Sequence, residues 1–494
     1  MVRKSSAQRT LIRTLLMSLL LMLAAYGLFL RTHYSLDTYS LYTTGNAAPQ
    51  HLIQSRYVTA ALSTLLAWLG IHPADWMIPF TAVLIVTMAF CHTRLTFTAH
   101  QAAAQGGRSL PLPLVWLACL SAFINVFIEE WYLYPEYTLY YSVALITAME
   151  GMLLMQRSGC WYHWLGALVL FQISLFTYQS TMAVFLIWHL VLTLLRHGFI
   201  ITRQTMKELA LGVLVTGAAC VILLVTQRLV GLSGTRNATL DIQQILFNLQ
   251  KVWDAQSILW YSQRKLWPGG VLPVLCAVLG GVLALSLHRT GRMRHALVLL
   301  LVLLMCIVLP FVPHFITASV WLAQRTLIGM WSFFAGSGLV LLALNHDRRI
   351  LQAVTALVMA AMLIINGVYI WKIGLEHYRV NEMDEAYMLD VQSRIEAYEA
   401  QSGLTVTHVA TCRDEHFTYA YEGVQFWGHD TNKRCVSVTW ADVFALNHYT
   451  GEKYKTMKIP QEVYDAHFGG RDWTEYVPQE QLVFDGTTLY LCFW

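Results

Sequence analysis

An aspartate stands close to the first long apolar run of the chain. Asp37 lies in HYSLDTYSLYTTG, separated by six residues from the apolar run 15–30. A charge near hydrocarbon is costly, so a carboxylate at this depth often has a functional reason to be there. Two interpretations stay open: a helix-capping or solvated loop residue, or a general base that faces a lipid-borne substrate.

A second stretch, FIEEWYLYPEYTLYYS, combines three acids with many aromatic rings. Its acids are Glu129, Glu130 and Glu136, and the rings around them include Trp131 and Tyr134. An aromatic belt at a membrane surface explains the rings, but it does not explain the paired glutamates. Carbohydrate sites use the same mixture, because rings cover the apolar sugar face and carboxylates accept hydroxyl protons. We predict a sugar-binding or catalytic role for Glu129 or Glu130.

Two arginines and a polar triplet are candidates for binding a phosphate. Arg56 precedes the apolar segment 57–70, where it binds a phosphate or extends to lipid headgroups. Arg325, in WLAQRTL, can form bidentate bonds to a phosphate. Tyr178 and Gln179, in FTYQST, join two apolar runs with almost no loop. They either satisfy exposed backbone ends or face a cavity.

Several common sites are not evident in the sequence. It shows no nucleophile elbow, phosphate-binding glycine loop, zinc-helix motif or CxxC pair. ATP-driven transport and hydrolase chemistry of the usual kinds are therefore excluded as simple interpretations. No basic, aromatic-rich soluble face suggests a nucleic-acid partner.

The elements that carry these residues are predicted to be membrane helices. Of the 494 residues, 56% are hydrophobic and only 13% are charged, against about a quarter charged in globular domains. Apolar runs of about 16 to 22 residues follow one another up to residue 371, and each is close to the length that spans a bilayer. The sequence predicts about eleven transmembrane helices, at 11–30, 77–93, 111–128, 138–155, 162–177, 180–195, 208–226, 271–287, 296–311, 327–344 and 350–371.

The basic loops predict the orientation. If segment 57–70 lies in the interface rather than spanning, the basic loops join the basic N-terminus on the cytoplasmic side. Those loops contain Arg94 and Arg108, Arg157, Arg196 with Arg203 and Lys207, Arg289 with Arg292 and Arg294, and Arg348 with Arg349. Regions 31–56, 129–137, 227–270 and 312–326 are then outside, together with the C-terminal domain. Region 227–270 is long enough to hold a further amphipathic helix at the membrane surface.

The composition becomes charged and alternating after residue 371, so we predict two domains, 1–371 and 372–494. The second begins with a helix at 380–400, followed by strands at LTVTHVATC, RCVSVTW and TTLYLCFW. Turns are expected at Gly403, Gly451 and Asp485-Gly486. This pattern predicts a small α/β or α+β domain outside the membrane.

Three of the nine cysteines lie in this second domain. Cys412 and Cys435 could pair if the compartment is oxidising. Cys492 would then be left over, so the redox state of the three cysteines stays open.

These features together resemble the GT-C superfamily of membrane glycosyltransferases, and most of all the bacterial Gtr-type glucosyltransferases that modify O-antigen or related surface glycans. The resemblance covers about residues 10–370. It rests on the basic start, Asp37 in LDTY, Arg56 in SRYVTAALSTLLAWLG, the second acidic loop, the YQS triplet and Arg325. Many relatives have two adjacent acids in the first loop and a glycine before the arginine, whereas this chain has Leu36-Asp37 and Ser55-Arg56.

The resemblance implies an enzyme of the bacterial inner membrane. It would move a sugar, most simply glucose, from a polyprenyl-phosphate donor to a cell-surface glycan or lipid-linked saccharide. The transition state resembles an oxocarbenium ion, so a base and a positive charge near the phosphate are needed. The implied roles are catalysis for Asp37, Glu129 and Glu130; donor phosphate binding for Arg56, Arg325, Tyr178 and Gln179; and acceptor binding for Trp131, Tyr134 and Glu136. A divalent cation, Mg or Mn, would fit if the carboxylates converge, but the sequence demands no metal or other cofactor.

The sequence leaves two alternative functions open. A transporter or flippase of lipid-linked saccharides would also need aromatics, arginines and many spans, but it should place polar groups at mid-membrane. Here the acids cluster at the predicted outer surface. A structural or assembly protein whose C-terminal domain binds partners is the third interpretation.

Overall fold

A computed structural model of the chain describes residues 2–157, 160–231, 241–288, 293–425 and 431–494. The helices are α1 Val2–Tyr26, α2 Leu36–Thr44, α3 Ala48–Ile53, α4 Tyr57–Trp68, α5 Met77–Gln105, α6 Leu112–Leu120, α7 Val126–Tyr132, α8 Thr138–Met155, α9 Trp161–Thr177, α10 Thr181–Arg196, α11 Arg203–Val230, α12 Ile242–Ser262, α13 Val271–His288, α14 Met293–Val308, α15 Val312–Phe315, α16 Gly329–Leu344, α17 Arg349–Ser402, α18 Asp442–Thr450, α19 Gln461–His467 and α20 Pro478–Gln481. The strands are β1 His408–Arg413, β2 Lys455–Met457, β3 Leu482–Asp485 and β4 Thr488–Phe493.

Several of these helices have the length and composition of membrane spans. Within the described residues, seven are long and apolar enough to cross a membrane. They lie at Gln8–Phe29, Met77–Gln105, Pro135–Met155, Arg203–Val230, Val271–His288, His295–Phe315 and Arg349–Ser402. Three shorter apolar helices, α4, α10 and α16, accompany them. The mostly helical, apolar character expected from the sequence is confirmed, and the count of eleven spans stays a prediction. Arg289 and Arg292 of one predicted basic loop lie outside the described residues.

The predicted span at 111–128 is wrong as a single helix. The chain forms α6 and α7 with a turn between them, and α6 has only nine residues, about 14 Å of helix. Asn125 stabilises the break, because its side-chain oxygen accepts hydrogen bonds from the backbone N–H groups of Phe127 and Ile128. The hydroxyl of Tyr26 also donates to the backbone oxygen of Phe123. Apolar composition alone does not reveal such a break.

Helix α5 continues to Gln105, about three turns beyond its predicted end at residue 93. Arg94 lies inside it and donates through both Nε and Nη2 to the carboxylate of Glu150 on α8, each at 3.1 Å. This bidentate ion pair joins two long helices. Arg94 is therefore a helix residue rather than a loop residue.

Segment 57–70 contains the separate helix that the sequence predicts. Helix α4 has 12 residues, about 18 Å, which is short of the roughly 30 Å of a hydrocarbon core. The long loop before residue 271 also contains a helix, α12. Trp253 on this helix is exposed, whereas Trp267 beyond it is buried and donates its indole N–H to Asn366.

The chain divides into two compact units. The first comprises residues 1–31, 47–132 and 136–371, and the second comprises 32–46, 133–135 and 372–494. Helix α17 changes unit between Trp371 and Lys372. Residues 32–46, with α2 and Asp37, thus belong to the same unit as the C-terminal residues.

The second unit is built on a four-stranded sheet of order β2-β1-β4-β3. Strand β1 runs parallel to β2 and β4, and β3 pairs with β4 in antiparallel register. Helix α17 packs Val391 and Ile395 against Val409, Leu489 and other apolar residues of one sheet face. Gly486 adopts a positive φ of 57° in the tight β3–β4 hairpin. The expected small C-terminal sheet is confirmed, and Gly403, Gly451 and Gly486, where turns were expected, all have a positive φ.

The strand predicted at RCVSVTW is wrong. Residues Cys435–Ser437 form a 3₁₀ turn, because their backbone groups bond to partners outside the sheet. The N–H of Cys435 donates to the carboxylate of Asp384 on α17, and the N–H of Arg434 donates to the backbone oxygen of Tyr419. Alternating apolar residues therefore face the core without pairing in a ladder.

Candidate active site

Glu130 and Arg325 form the central ion pair of the first unit. Glu130 lies on α7, and Arg325 lies in a short 3₁₀ turn, Gln324–Thr326, before α16. The guanidinium Nη1 of Arg325 bonds to Oε1 of Glu130, and the backbone N–H of Arg325 donates to Oε2 at 2.6 Å. Both residues are buried. The carboxylate of Glu130 thus holds both the guanidinium and the backbone of Arg325 in place.

Tyr178 connects Arg325 to the second arginine. Its hydroxyl donates to the backbone oxygen of Arg325 at 3.4 Å. The guanidinium carbon of Arg56 lies 4.8 Å from the centre of the Tyr178 ring, within the range of a cation–π contact. The edge of Tyr178 meets Tyr141, which stacks on Trp131. One aromatic cluster therefore supports the guanidinium of Arg56.

The backbone in front of Arg56 has an unusual conformation. Ser55 has a φ of 59°, in the left-handed region that glycine adopts without strain. The side-chain amide of Gln179 donates to the backbone oxygens of Gln54 and Ser55, at 3.2 and 3.4 Å. This position is the one where many relatives were expected to carry glycine. Gln179 thus stabilises the turn that orients Arg56.

A cavity of about 130 Å³ opens beside these residues. Its polar side includes Arg56, Tyr178, Gln179 and Ser180. Its apolar wall comes mainly from α9, α10, α11 and the segment around α15. The residues of that wall are Leu175, Met182, Cys220, Leu223, Leu224, Val312, Pro313 and Ile316. Such a cavity suits a molecule with one anionic end and a long apolar part.

Arg56 and Arg325 differ in how far their guanidinium groups are already bound by other side chains. Arg325 is neutralised by Glu130, whereas the Nε of Arg56 is buried and has no hydrogen-bond partner among the described residues. Since Arg56 also lines the cavity, it is the better placed of the two predicted phosphate ligands.

The other acidic loop residues are enclosed by protein. Glu129 is buried, and burial, followed by the charge of Glu130, raises its pKa well above the ordinary range. Its Oε1 has no hydrogen-bond partner among the described residues. Trp131 and Glu136 are also buried in the first unit. A sugar-binding role for these residues stays a prediction.

Asp37 and Tyr134 belong to the second unit. Asp37 lies in the first turn of α2, where Ser35 rather than Asp37 supplies the capping hydroxyl. The carboxylate of Asp37 accepts a hydrogen bond from the indole N–H of Trp440 at 3.2 Å. Ser35 thus fills the capping position, and both the solvated-residue and the general-base interpretations of Asp37 stay predictions.

Two residues near this site were not singled out by the sequence as site residues. Arg264 follows α12 in a run of three left-handed residues, Gln263, Arg264 and Lys265. Burial lowers its pKa, and the charge of Glu130 opposes that shift. His51 is buried against Tyr137 and Tyr140, and burial with the charge of Arg56 lowers its pKa to about 3. No pattern in the sequence signals either arrangement.

Within the described part of the chain, no group of three or more His, Cys, Asp and Glu side chains could hold an ion.

Comparison with known protein families indicates the class of reaction. The family model described as glucosyl transferase GtrII matches residues 26–365. The chain belongs to this family. No curated protein and no solved structure matched the chain in the same comparisons. Membership of this family makes the protein a glycosyltransferase, as the sequence resemblance implies. The matched range includes the Glu130–Arg325 pair and Arg56.

Proposed function

We propose that this GtrII protein transfers glucose from a polyprenyl-phosphate donor to a hydroxyl of a cell-surface glycan or lipid-linked saccharide. The reaction would take place on the outer face of a bacterial inner membrane. The observation that carries the proposal is the cavity in the first unit, whose apolar wall meets a guanidinium at Arg56. A polyprenyl phosphate has the same two parts, an apolar chain and an anionic head.

Arg56 is the proposed ligand of the donor phosphate. Its guanidinium is held over Tyr178 and retains an unpartnered Nε among the described residues. As the bond from the anomeric carbon to the phosphate oxygen breaks, negative charge grows on the phosphate. A fixed guanidinium stabilises that charge more in the transition state than in the ground state.

Arg325, Tyr178 and Gln179 are the proposed positioning residues of this phosphate site. Glu130 fixes Arg325, whose backbone oxygen accepts from the hydroxyl of Tyr178. Gln179 fixes the turn at Ser55. Glu130 is thereby occupied as an ion-pair partner, which favours Asp37 over Glu130 as the base.

Asp37 is the proposed general base for the acceptor hydroxyl. Its carboxylate is half-buried and oriented by Trp440. It would accept the hydroxyl proton as the acceptor oxygen bonds to the anomeric carbon, a step that general bases accelerate by about 10² to 10⁴. Trp131, Tyr134 and Glu136 remain the proposed acceptor-binding residues, and Glu129 the alternative base.

The test is transfer of radiolabelled glucose from polyprenyl-phosphate-glucose to acceptor in membranes that contain equal amounts of each protein. Wild type and the exposed-residue controls Arg157→Gln and Asp75→Asn should transfer. In Arg56→Gln and Asp37→Asn the transfer rate should fall by a factor of about 10² or more. Transfer that survives in Asp37→Asn moves the base to Glu129. No wild-type transfer from any polyprenyl-phosphate sugar refutes this donor and requires a test of lipid-linked sugar movement across the membrane instead.

A further inference from the structure

Two cysteines of the second unit lie opposite each other on neighbouring strands. Strands β1 and β4 are parallel, and their register pairs Cys412 with Cys492. Paired residues of parallel strands project from the same sheet face. The strand separation of about 4.8 Å also falls within the range of Cα separations, about 4.4 to 6.8 Å, that a disulfide spans.

Cys435, which the sequence left open as one partner for Cys412, lies elsewhere. It is buried in the apolar cluster between α17 and one sheet face, with Leu489 and Leu491. Cys492 belongs to the cluster of the opposite face, with Tyr490 and Trp473, and Cys412 packs against that cluster. The sheet therefore separates Cys435 from the other two cysteines.

We propose that Cys412 and Cys492 form a disulfide within the second unit. This inference rests on the extracytoplasmic location of that unit in the proposed function. A disulfide-bearing oxidoreductase, the oxidant class of such compartments, would act on it.

The exchange would start at Cys412. Cys412 is partly exposed, whereas Cys492 is fully buried. The hydrogen bond between the two thiols, followed by burial, raises the pKa of Cys492, so Cys412 is the better nucleophile. Its thiolate attacks the oxidoreductase disulfide and forms a mixed disulfide. The sulfur of Cys492 then attacks Cys412, and the oxidoreductase leaves as a dithiol. Two cysteine thiols are oxidised, one disulfide is reduced, and the thiol protons pass to the leaving thiolates or to water.

The experiment uses the full-length protein in its membrane. Free thiols are blocked with N-ethylmaleimide under denaturing conditions, the protein is reduced, and newly released thiols are labelled with polyethylene-glycol maleimide. Wild type and the control Cys435→Ser should each gain two labels on reduction, whereas Cys412→Ser and Cys492→Ser should gain none. No label in wild type, or loss of the pair in Cys435→Ser, would overturn the assignment.

Two further measurements separate this inference from the proposed function. Protease added to intact spheroplasts should cleave the second unit, and a protected, reduced unit would overturn both the topology and the disulfide. Glucosyl transfer by Cys412→Ser, measured in the same membranes, reports the activity independently of the disulfide. A cleaved unit without reducible labels would refute the disulfide alone.

Discussion

At the residue scale, the candidate site depends on how individual side chains are neutralised or left available. Glu130 neutralises the charge of Arg325. Arg56 lies over the ring of Tyr178 and lines the cavity. Two arginines with similar sequence settings therefore have different surroundings. The distinction lies in their partners, which are distant in sequence.

The first prediction concerns the geometry of Arg56. In Arg56→Lys the charge is kept, but the planar guanidinium that stacks on Tyr178 is lost, and an ammonium is a different phosphate ligand. We expect Arg56→Lys to retain partial transfer, about tenfold below wild type, and Arg56→Gln to fall by about 10² or more. Initial rates of glucosyl transfer at saturating donor measure both. Equal rates in Arg56→Gln and wild type would remove Arg56 from the phosphate site.

The second prediction concerns Ser55. Its left-handed backbone costs about 1 kcal/mol for a residue with a Cβ, and glycine loses a similar amount through unfolded-state entropy. Ser55→Gly should therefore have nearly wild-type stability and activity. Ser55→Val should lose about 1 to 2 kcal/mol or more, because a β-branched residue tolerates positive φ poorly.

Thermal unfolding and transfer rates of the two Ser55 variants, in the same detergent, provide the measurement. A stable, active Ser55→Val would show that this turn does not need its left-handed residue.

At the element scale, short irregular segments position the candidate site residues. The break between α6 and α7 brings Glu130 onto a separate short helix, and the 3₁₀ turn before α16 presents Arg325 to it. The tight connection from α9 to α10 carries Tyr178 and Gln179. Each segment is an interruption of an apolar run, where backbone groups and polar side chains become available.

The third prediction tests how these segments are held together. Removing one member of a buried ion pair leaves the other charge unpaired, at about 3 to 5 kcal/mol. Glu130→Gln and Arg325→Gln should each lower the unfolding temperature and the transfer rate. The double variant should be less destabilised than the sum of the two single variants.

A double-mutant cycle on the unfolding temperatures quantifies the coupling, with the exposed pair Arg471 and Glu480 as the matched control. Additive effects at Glu130 and Arg325 would contradict a structural coupling between α7 and the turn.

At the scale of the whole molecule, the chain consists of a mostly apolar helical unit and a smaller unit with a sheet. The second unit contains its own buried polar centre. Asp384 on α17 accepts from the N–H of Cys435 and from the hydroxyl of Tyr421. Burial raises the pKa of Asp384 to about 6, and these hydrogen bonds oppose the shift.

The fourth prediction is that the free energy of unfolding of this unit depends on pH. Because the folded-state pKa of Asp384 lies above its unfolded value of 3.8, the protonated group favours folding. The resulting stability is present below pH 3.8 and is lost as pH rises to about 6. The loss amounts to about 3 kcal/mol.

Hydrogen exchange of residues 380–400 between pH 4 and pH 7 should show this loss in wild type. Asp384→Asn, which keeps an accepting oxygen, should show a flatter dependence. The same dependence in wild type and Asp384→Asn would assign it to other groups.

The sequence by itself determined the class of molecule. Apolar runs of membrane length and a charged C-terminal region predicted a membrane protein with a second, polar domain. The resemblance to Gtr-type enzymes, carried by Asp37, Arg56, the second acidic loop and Arg325, implied a glycosyltransferase, and the GtrII match confirms that family. Hydrophobic length and periodicity are local properties, so they can be read along the chain. Terminal elements such as the strand TTLYLCFW and the glycine turn at Gly486 were predictable for the same reason.

Only the tertiary structure decided which groups meet. In the tertiary structure the predicted helix 111–128 is divided into two helices, and RCVSVTW contains a 3₁₀ turn instead of a strand. Cys492 rather than Cys435 lies opposite Cys412. It also showed that Arg325 is paired and that Arg56 lines the cavity. These outcomes depend on hydrogen bonds and ion pairs between residues far apart in sequence, and local composition carries no information about such partners.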